Sequence, residues 1–425
     1  MLGHILVAAP DQPDALHLAG IVAFREGRHA EALALMQRAI AHGVDTPLYL
    51  RNICEVHRSL GQLDDALATA LQAAALAPTD PLCLHNLAII HYERCEIDDC
   101  IDCARRALAL DPSLPGAHFE LAEALLLRGE LEQGWEEYEW RYRIQGAAPL
   151  MPPTDRPQWD GAPLPGQTLL LIADQGFGDV IQFARYLPWA AGRCGAIAIA
   201  ASSEMLPVLR QIHPEAKLFQ RWEDVPPYAA FCPLSGLPRL AGTRLDTIPA
   251  PIPYLHADPA RTAAWAARIG ALVPKSYRRI GIVWAGRPTH NNDRNRSATL
   301  ADFAPLARLP GTALIALQKG PSTDQAGRWF NAAPLINLGT EIGDYDDTLA
   351  ILANLDLLVS VDTSVAHLAG AMARPVWMML PRAPDWRWLE HRADSPWYPT
   401  IRLFRQGTSR HWKPVVERIA EALST

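Results

Sequence analysis

The chain has 425 residues, of which 49% are hydrophobic and 20% charged, so its composition excludes wholesale disorder and its length indicates about three domains. Its net charge of −7 argues against a general nucleic-acid binder, which needs a basic surface to displace counterions from phosphates. Residues 1–145 carry 11 arginines, no lysine and 22 acidic residues, whereas the remainder carries 28 basic and 24 acidic residues. An acidic first third therefore precedes a mildly basic region.

Three further features of the sequence bear on its compartment. No apolar run approaches the roughly 20 residues of a membrane-spanning helix. The N-terminus does not combine a basic segment with an apolar stretch and a cleavage site. Seven cysteines, an odd number, fit a reducing compartment better than a disulfide framework. We expect a cytoplasmic chain with no integral membrane segment and no nucleic-acid partner.

The first third repeats with a period of 34 residues. One register contains residues at which a helix must end and the chain turn sharply: Gly27, Gly61, Cys95 and Gly129. Five positions later lie small residues, as the close approach of two helices requires: Ala32, Ala66, Cys100 and Gly134. Prolines close successive units at Pro10, Pro78 and Pro112. The pattern resembles the tetratricopeptide repeat, with units at about 13–46, 47–80, 81–114 and 115–145.

This resemblance implies paired antiparallel helices that stack into a superhelix with a concave surface. Such a surface usually holds a peptide, so we expect a protein acceptor or peptide segment there. Residues 1–12 match the tail of a preceding repeat without its partner helix, so the array is either truncated or begins upstream. The acidic surface is either a solvated exterior or a means of steering a basic or polar protein partner.

The spacing of Cys95, Cys100 and Cys103 matches one iron–sulfur pattern, C-x4-C-x2-C. The repeat register explains Cys95 and Cys100 as packing residues, and no fourth cysteine lies at a matching distance. We therefore predict no metal site in this segment.

A proline-rich joint follows the repeats. Residues 135–144, rich in aromatic and charged side chains, are predicted to form a capping helix, and six prolines between residues 149 and 165 predict an extended spacer. We place the repeats at 1–145, the linker at 146–166, a first α/β lobe at 167–275 and a second lobe at 276–425.

Short apolar strands alternate with helical stretches beyond the linker, a rhythm typical of parallel sheets covered by helices. In the first lobe, strands are predicted at 168–173, 196–200 and 216–219, with helices at 180–191 and 204–212. In the second, strands are predicted at 280–284, 313–317, 335–338, 355–361 and 376–380. This order of elements predicts two Rossmann-like lobes that face a cleft. Ligands of such sheets bind beyond the carboxyl ends of the strands.

The loop Gln175-Gly176-Phe177-Gly178-Asp179 directly follows the first of these strands. Gly176 and Gly178 allow the backbone to approach a ligand closely. The loop lacks the third glycine of the dinucleotide fingerprint, so we do not predict an NAD site. Asp179 is either a catalytic base or, with Gln182, part of a helix-capping box.

Positive charge follows the next two predicted strand ends. The loop at 284–297 carries Arg294 and Arg296, whose guanidinium groups suit a phosphate, although a solvated loop is the alternative. Thr299 to Asp302 independently matches a capping box for the following helix. Lys319, at the end of the next strand, is predicted to direct its charge to the same edge.

A helix N-terminus is predicted after the strand at 355–361. Asp362, Thr363 and Ser364 can all cap a helix, and the amides of such an end suit a diphosphate. The helix end should disfavour protonation of His367 and make it a neutral hydrogen-bonding group. The alternative is a satisfied core histidine.

Two remaining motifs each have a structural explanation besides a functional one. The carboxylates of Asp344 and Asp346 have the spacing of a metal-binding pair, but we expect Asp346 or Asp347 to cap a helix that begins near Thr348. The aromatic segments at 381–388 and 395–399 either stack on a base or sugar or pack between the lobes.

Three segments, Q-G-F-G-D, N-D-R-N-R-S and S-V-D-T-S-V-A-H-L-A-G-A, together resemble bacterial tetratricopeptide-repeat glycosyltransferases related to heptosyltransferases. The resemblance covers nearly the whole chain and implies a multidomain protein, an all-α solenoid followed by an α/β GT-B pair of Rossmann-like lobes. It implies an N-terminal acceptor lobe, a C-terminal nucleotide-sugar lobe and a final helix, at 411–423, that crosses back. It also implies that Asp179 is the general base and that Asp362, Thr363 and His367 hold donor phosphates.

The function implied by this resemblance is metal-independent transfer of a sugar from a nucleotide-sugar, a substrate rather than a cofactor, to a hydroxyl of a protein held by the repeats. Some relatives modify flagellin, so a flagellin-like acceptor is one expectation. The alternatives are a non-enzymatic repeat adaptor with a degenerate GT-B region and a lipopolysaccharide core glycosyltransferase. No cofactor and no metal are predicted.

Overall fold

A computed structural model of the chain describes residues 2–43, 46–144, 150–249, 252–290, 292–329 and 333–424. Its contacts divide the chain into two compact units, Met1–Ala147 and Ala148–Thr425. The boundaries predicted at 145, 166 and 275 stay predictions. Parts of the predicted motifs, namely Pro149 of the linker, Pro251 between the lobes and Asn291 of the arginine-bearing loop, lie outside the described residues.

The first unit is helical over its described residues. Its helices are α1 (Leu2–Ala8), α2 (Pro13–Arg25), α3 (His29–His42), α4 (Pro47–Ser59), α5 (Leu63–Leu76), α6 (Pro81–Arg94), α7 (Ile97–Leu110), α8 (Pro115–Arg128) and α9 (Leu131–Tyr138). From α2 onward, successive helices pack in pairs, and each pair also contacts the next. The prediction of one helix over 135–144 is wrong, because α9 ends at Tyr138 and a 3₁₀ segment, Glu139–Arg143, continues the chain.

The turn inside each pair has the geometry expected from the repeat landmarks. Gly27, Gly61, Cys95 and Gly129 have φ angles of 77°, 77°, 61° and 91°, in the left-handed region that ends a helix and reverses the chain. Cys95 alone of these four has a side chain, which makes that conformation costly. The small residues five positions later are buried, and a Cβ atom added at Gly134 would lie 2.7 Å from the Leu126 side chain. The 34-residue register therefore fixes both the turns and the close helix packing.

The second unit contains two parallel sheets. The first has the strand order β3-β2-β1-β4 and the second the order β10-β9-β8-β5-β6-β7. The strands are β1 (Leu164–Ile172), β2 (Cys194–Ala200), β3 (Lys217–Phe219), β4 (Ala230–Pro233), β5 (Arg278–Val283), β6 (Thr312–Ala316), β7 (Leu335–Asn337), β8 (Leu357–Val361), β9 (Val376–Leu380) and β10 (Ile401–Arg405). Strands β4 and β10 were not predicted from the sequence.

Short helices connect these strands. They are α10 (Phe177–Phe183), α11 (Leu187–Ala191), α12 (Leu206–Ile212), α13 (Leu237–Leu240), α14 (Pro259–Gly270), α15 (Asp293–Arg296), α16 (Tyr345–Ala353), α17 (Ser364–Ala371) and α18 (Lys413–Ser424). The helix predicted over 180–191 is broken by a 3₁₀ turn, Ala184–Tyr186, before Pro188 in the first turn of α11. The capping box at Thr299 and Asp302 is confirmed, although it begins a 3₁₀ segment, Leu300–Arg308.

The core of the second sheet includes the last helix. Val415, Val416 and Ile419 of α18 belong to the same buried cluster as Ile280, Ile282 and Val359 of the central strands. The buried face of α18 therefore packs on the second sheet. A helix that crosses back would instead pack on the first sheet. No helix among the described residues is both long enough and apolar enough to cross a membrane.

Candidate functional site

Polar side chains from both sheets meet at the carboxyl ends of β1, β8 and β9. Helix α10, which follows β1, packs on α17, which follows β8. Asp179 lies in the first turn of α10, Asp362 lies between β8 and α17, and Arg387 lies in the segment after β9. Strands β8 and β9 are neighbours in one parallel sheet, so their carboxyl ends share an edge, and the packing of α10 on α17 brings Asp179 of the other sheet to it.

Asp179 does not cap a helix. Helix α10 begins at Phe177 with Gly176 as its N-cap residue, so Asp179 lies inside the first turn and the predicted capping box is wrong. Its Oδ1 atom accepts a hydrogen bond from Nη2 of Arg387, although the two residues are 208 positions apart. The side chain of Asp179 is 20% exposed, so it is accessible to solvent.

Arg387 forms the centre of the cluster. Its side chain is buried, and its Nε atom lies 2.9 Å from Oδ1 of Asp385 while Nη1 lies 3.5 Å from Nε2 of His367. Burial alone would lower the pKa of Arg387, but the carboxylates of Asp179, Asp385 and Asp362 outweigh it and raise the pKa well above its usual value. The cluster therefore contains a permanent cation.

Asp362 is a buried carboxylate with two neighbours that favour its charge. Nε1 of Trp388 donates to Oδ2 at 2.7 Å, and Nε2 of His367 lies 3.5 Å from Oδ1. Burial would raise the pKa of Asp362, but His367, Arg387 and Trp388 outweigh it and lower the pKa. Asp385 differs, because burial together with the charges of Asp362 and Asp179 raises its pKa to about 6 in spite of Arg387.

His367 joins the two sheets through close packing. Burial is the main cause that lowers its pKa, aided by the charge of Arg387 and opposed by Asp362, so the imidazole is neutral at pH 7. The direction agrees with the sequence prediction, whereas the predicted cause was the helix end. Its Nδ1 atom lies 3.0 Å from the hydroxyl of Tyr398. A Cβ atom added at Gly178 would lie 2.9 Å from Cδ2 of His367, so Gly178 lets the first sheet's loop approach this ring.

The N-terminus of α17 borders the same cluster. Thr363 is the N-cap residue, but its side chain makes no cap hydrogen bond and lies 3.2 Å from the hydroxyl of Ser360. Ser364 accepts a hydrogen bond of 3.0 Å from the hydroxyl of Tyr345, whose ring packs edge-on against Phe177. Asp362 does not cap the helix, because Trp388 and His367 engage its carboxylate.

The two predicted phosphate-binding arginines lie on α15, in the loop after β5. Arg296 packs against Gly286, where an added Cβ atom would lie 2.6 Å from Nη2, and its Nε atom is 3.8 Å from Oδ1 of Asp293. The pKa of His290 responds both to a charge of this loop and to charges of the cluster. The protein around its ring and the charge of Arg296 lower its pKa, while Asp362 and Asp179 oppose that shift. Arg294 lies two residues before Arg296 on the same short helix.

Lys319 and the acidic residues of α16 have other contacts. Nζ of Lys319 donates to the backbone oxygen of Ile342, so the described contact of this lysine is away from the cluster. Asp344, and not Asp346 or Asp347, caps α16, because its Oδ1 accepts from the amide of Asp347 at 2.9 Å and the helix begins at Tyr345. Of the two carboxylates with metal-binding spacing, Asp344 forms an ion pair with Arg261, and Oδ1 of Asp346 accepts a hydrogen bond from Gln211.

Side chains of types that can ligate a metal also occur in the first unit, and they have local partners. Burial raises the pKa of the Cys103 thiol to about 11 and raises that of the Cys100 thiol well above its usual value, so neither is a thiolate at pH 7. His91, Glu96 and Asp99 bring ligand atoms within 4.8 Å of one another, but Glu96 already pairs with Arg94 and His91. These side chains are explained by packing and ion pairing.

An open groove of about 520 Å³ lies elsewhere in the second unit. It is lined by residues of α14 and of the ends of α16 and α17, including Leu255, Thr262, Ala353 and Met372. Its lining contains none of the clustered carboxylates, so we place the candidate site at Arg387 and not in this groove.

Sequence reasoning missed the residue at the centre. The sequence prediction for the segment at 381–388 concerned only its aromatic rings, whereas Arg387 contacts Asp179 and His367, and Trp388 contacts Asp362. Asp385 pairs with Arg387. Their position directly after β9, beside β8 in the sheet, was the available signal.

The comparisons with known proteins match the first unit most clearly. Tetratricopeptide repeat family models match residues 5–47, 17–81 and 81–114. Protein FlbA of Caulobacter vibrioides is 28% identical over 337 residues, which cover 72% of this chain and 54% of that protein. This chain thus spans about half the length of that curated relative.

Solved structures also resemble part of the chain. MamA from Desulfovibrio magneticus RS-1 is 17% identical, with a TM-score of 0.31, and the match covers 34% of this chain and 84% of MamA. YrrB, described as a TPR protein with an unusual peptide-binding site, is 17% identical, with a TM-score of 0.30, over 34% of this chain and 74% of YrrB. We build no argument on these two likenesses. From the family matches, the N-terminal part of this chain is an all-α tetratricopeptide-repeat solenoid, and a region with parallel sheets follows it.

Proposed function

We propose that the second unit is a GT-B glycosyltransferase, which moves a sugar from a nucleotide-sugar donor to a hydroxyl of a protein acceptor. The observation that supports this best is the meeting of Asp179, from the first sheet, with Asp362 and His367, from the second, around Arg387. The tetratricopeptide repeats indicate a protein-binding role, which favours a protein as the acceptor, with a flagellin-like protein as the first candidate to test.

In the proposed reaction Asp179 is the general base. Its carboxylate takes the proton of the acceptor hydroxyl as that oxygen forms a bond to the anomeric carbon of the donor. The bond from this carbon to the nucleotide diphosphate breaks, and its electron pair leaves with the diphosphate oxygen. Asp179 suits this role because its side chain pairs with Arg387 and remains partly exposed.

The leaving diphosphate needs positive charge. We assign this role to the amide end of α17 at Thr363 and Ser364, and to Arg294 and Arg296 on the loop after β5. Neutral His367 would donate or accept a hydrogen bond there. The assignment of Lys319 to the donor stays a prediction, since its described contact is with Ile342. The proposal gives no role to a metal or another cofactor.

Donor binding and transfer can be tested separately. In thermal unfolding with a panel of nucleotides and nucleotide-sugars, a donor at about 100 times its dissociation constant should stabilise the protein by about 2.7 kcal/mol. The substitution Asp179→Asn should reduce transfer by roughly 10²–10⁴-fold and leave donor binding intact, because only the proton acceptor is lost. Asp224→Asn, at an exposed carboxylate paired with Arg221, is the matched control and should change neither.

Other outcomes would favour the alternatives. No stabilisation by any donor, together with undiminished biological function of Asp179→Asn, would favour a non-enzymatic repeat adaptor. Transfer to an isolated lipid-linked sugar but not to protein would favour a lipopolysaccharide core transferase.

A further inference from the structure

The guanidinium of Arg387 has a position that the proposed reaction does not yet use. It is a buried cation in contact with the proposed base, yet it belongs to a segment 208 residues away from Asp179. Burying a charge is costly unless its partners compensate it, so the fold must hold this side chain for a reason beyond packing volume.

The turn that carries Arg387 is fixed through its backbone. Oδ1 of Asp385 accepts a hydrogen bond of 3.1 Å from the amide of Arg387 and begins the 3₁₀ turn Trp386–Trp388. Nη2 of Arg405 donates to the backbone oxygens of Trp388 and Leu389, at 2.7 Å each. The Cα atom of Arg387 is thus held on both sides.

The guanidinium itself is held by the same aspartate. Oδ1 of Asp385 lies 2.9 Å from Nε, and the guanidinium carbon lies 5.1 Å from the centre of the Trp386 ring. A guanidinium is planar, so an ion pair beside Nε and a ring near its plane restrict the directions of both terminal nitrogens.

Those terminal nitrogens face the two halves of the candidate site. Nη2 donates to Oδ1 of Asp179, after β1 of the first sheet, and Nη1 lies 3.5 Å from Nε2 of His367, on α17 of the second sheet. One rigid group therefore sets the position of the proposed base relative to the helix proposed to hold the donor.

We propose that Arg387, anchored by Asp385, is a positioning residue that holds Oδ1 of Asp179 and leaves Oδ2 to take the proton of the acceptor hydroxyl. This inference rests on the proposed function. The Oδ2 atom lies on the Gly176 side, where an added Cβ atom would be only 3.2 Å away, so a side chain at residue 176 would crowd that oxygen. Loss of Arg387 would let the carboxylate rotate, and a misplacement of about 1 Å can cost roughly 100-fold in rate.

Steady-state transfer by Arg387→Ala and Arg387→Lys, with the full-length chain, tests the inference. We expect kcat of Arg387→Ala to fall by about 100-fold or more, with the KM for donor changed by less than about threefold. Added guanidinium at millimolar concentration should restore part of that loss, and Arg387→Lys should lose less than Arg387→Ala, because each returns a cation to the site. A purely structural role would not respond to guanidinium. Arg268→Ala, at an exposed arginine paired with Glu341, is the control and should show neither loss nor rescue.

Three results would overturn this inference. One is unchanged kcat in Arg387→Ala, and another is a large loss that guanidinium does not reduce. A third is activity of Asp179→Asn equal to wild type while Asp385→Asn is inactive, which would make Asp385 the base.

Absence of transfer by the wild type would instead count against the proposed function, and a second measurement then decides the role of Arg387. In a double-mutant cycle of unfolding free energies with Asp179→Asn and Arg387→Met, we expect strong non-additivity. Additive effects would show that Arg387 does not hold Asp179.

Discussion

The two units of this chain place their charged residues in different ways. In the solenoid, ion pairs join neighbouring repeats at short, regular separations, as Arg94 pairs with Asp64 and Arg128 with Asp98, both 30 residues apart. In the α/β unit, the most buried cation of the site pairs with a carboxylate 208 residues away. The solenoid is organised by local repetition, whereas the candidate site exists only when two separate sheets are brought together by the packing of α10 on α17.

Because of this difference, we expect the two units to respond differently to single substitutions. A change in one repeat affects the contacts of that repeat and its neighbours, because such arrays have little long-range contact. A change in the site removes one member of a network in which each buried charge depends on another. The following predictions test that difference, from the largest expected effect to the smallest.

We expect the hydrogen bond of the Trp388 indole to contribute more to the unfolding free energy than that of an indole bonded to a neutral group. Trp388→Phe removes the donor to the charged Oδ2 of Asp362, whereas Trp412→Phe removes a 2.8 Å hydrogen bond to the neutral backbone oxygen of Ser297. We expect losses in unfolding free energy of about 2–3 kcal/mol for Trp388→Phe and about 1 kcal/mol for Trp412→Phe. Urea unfolding of both variants measures the difference. Equal losses would contradict a special role for the Asp362 contact.

The protonation of Glu120 in the solenoid should affect the stability of that unit. Burial and the charges of Glu93 and Glu55 raise the pKa of Glu120 from its usual 4.5 to about 7, while Arg58 opposes the shift. The folded state therefore binds this proton more tightly than the unfolded state, so stability falls as pH rises from about 4.5 to 7. Glu120→Gln should remove that dependence and stabilise the solenoid by about 1–3 kcal/mol at pH 8, with little effect at pH 4.

Hydrogen exchange of peptides from α8 in the full-length chain measures this effect, with peptides from α16 as an internal reference. Asp102→Asn, at an exposed carboxylate paired with Arg106, is the matched control and should not alter the pH dependence. Protection factors of α8, which are exchange rates divided into the intrinsic rates at each pH, that stay constant with pH in the wild type would show that the pKa of Glu120 is not raised by its neighbours.

The smallest predicted effect concerns one repeat turn. Cys95 has a φ of 61°, which a residue with a side chain adopts at a cost, while the equivalent turns have glycine. Cys95→Gly should therefore stabilise its repeat by about 1 kcal/mol, and Gly129→Ala should destabilise its own repeat by a similar amount. Exchange rates of peptides from α6 and α7 test the first change and those from α8 and α9 the second. Destabilisation by Cys95→Gly would mean that the thiol's packing outweighs the backbone cost.

The sequence predicted most where structure is local. The 34-residue register located the left-handed turns, and apolar runs located most strands of the two sheets. Strand β4, Ala230–Pro233, was missed because four residues ending in proline carry no periodic signal, and β10, Ile401–Arg405, because two arginines interrupt its apolar pattern.

The site was predicted only in part for a related reason. Asp179, Asp362 and His367 each follow a recognisable strand, so their positions beyond the carboxyl ends of two facing sheets could be anticipated. The contacts of Arg387 depend on a three-residue turn and on side-chain directions that no spacing encodes. Capping assignments failed at Asp179 and at Asp346, where helix starts differed by a few residues from the predicted ones.

Mass spectrometry of glycopeptides tests the central claim most directly, using cells that express the wild type or Asp179→Asn at equal levels. The proposed function predicts a sugar mass on serine or threonine residues of at least one protein in the wild-type cells, and its loss with Asp179→Asn. Identical glycopeptides in both cells would contradict it.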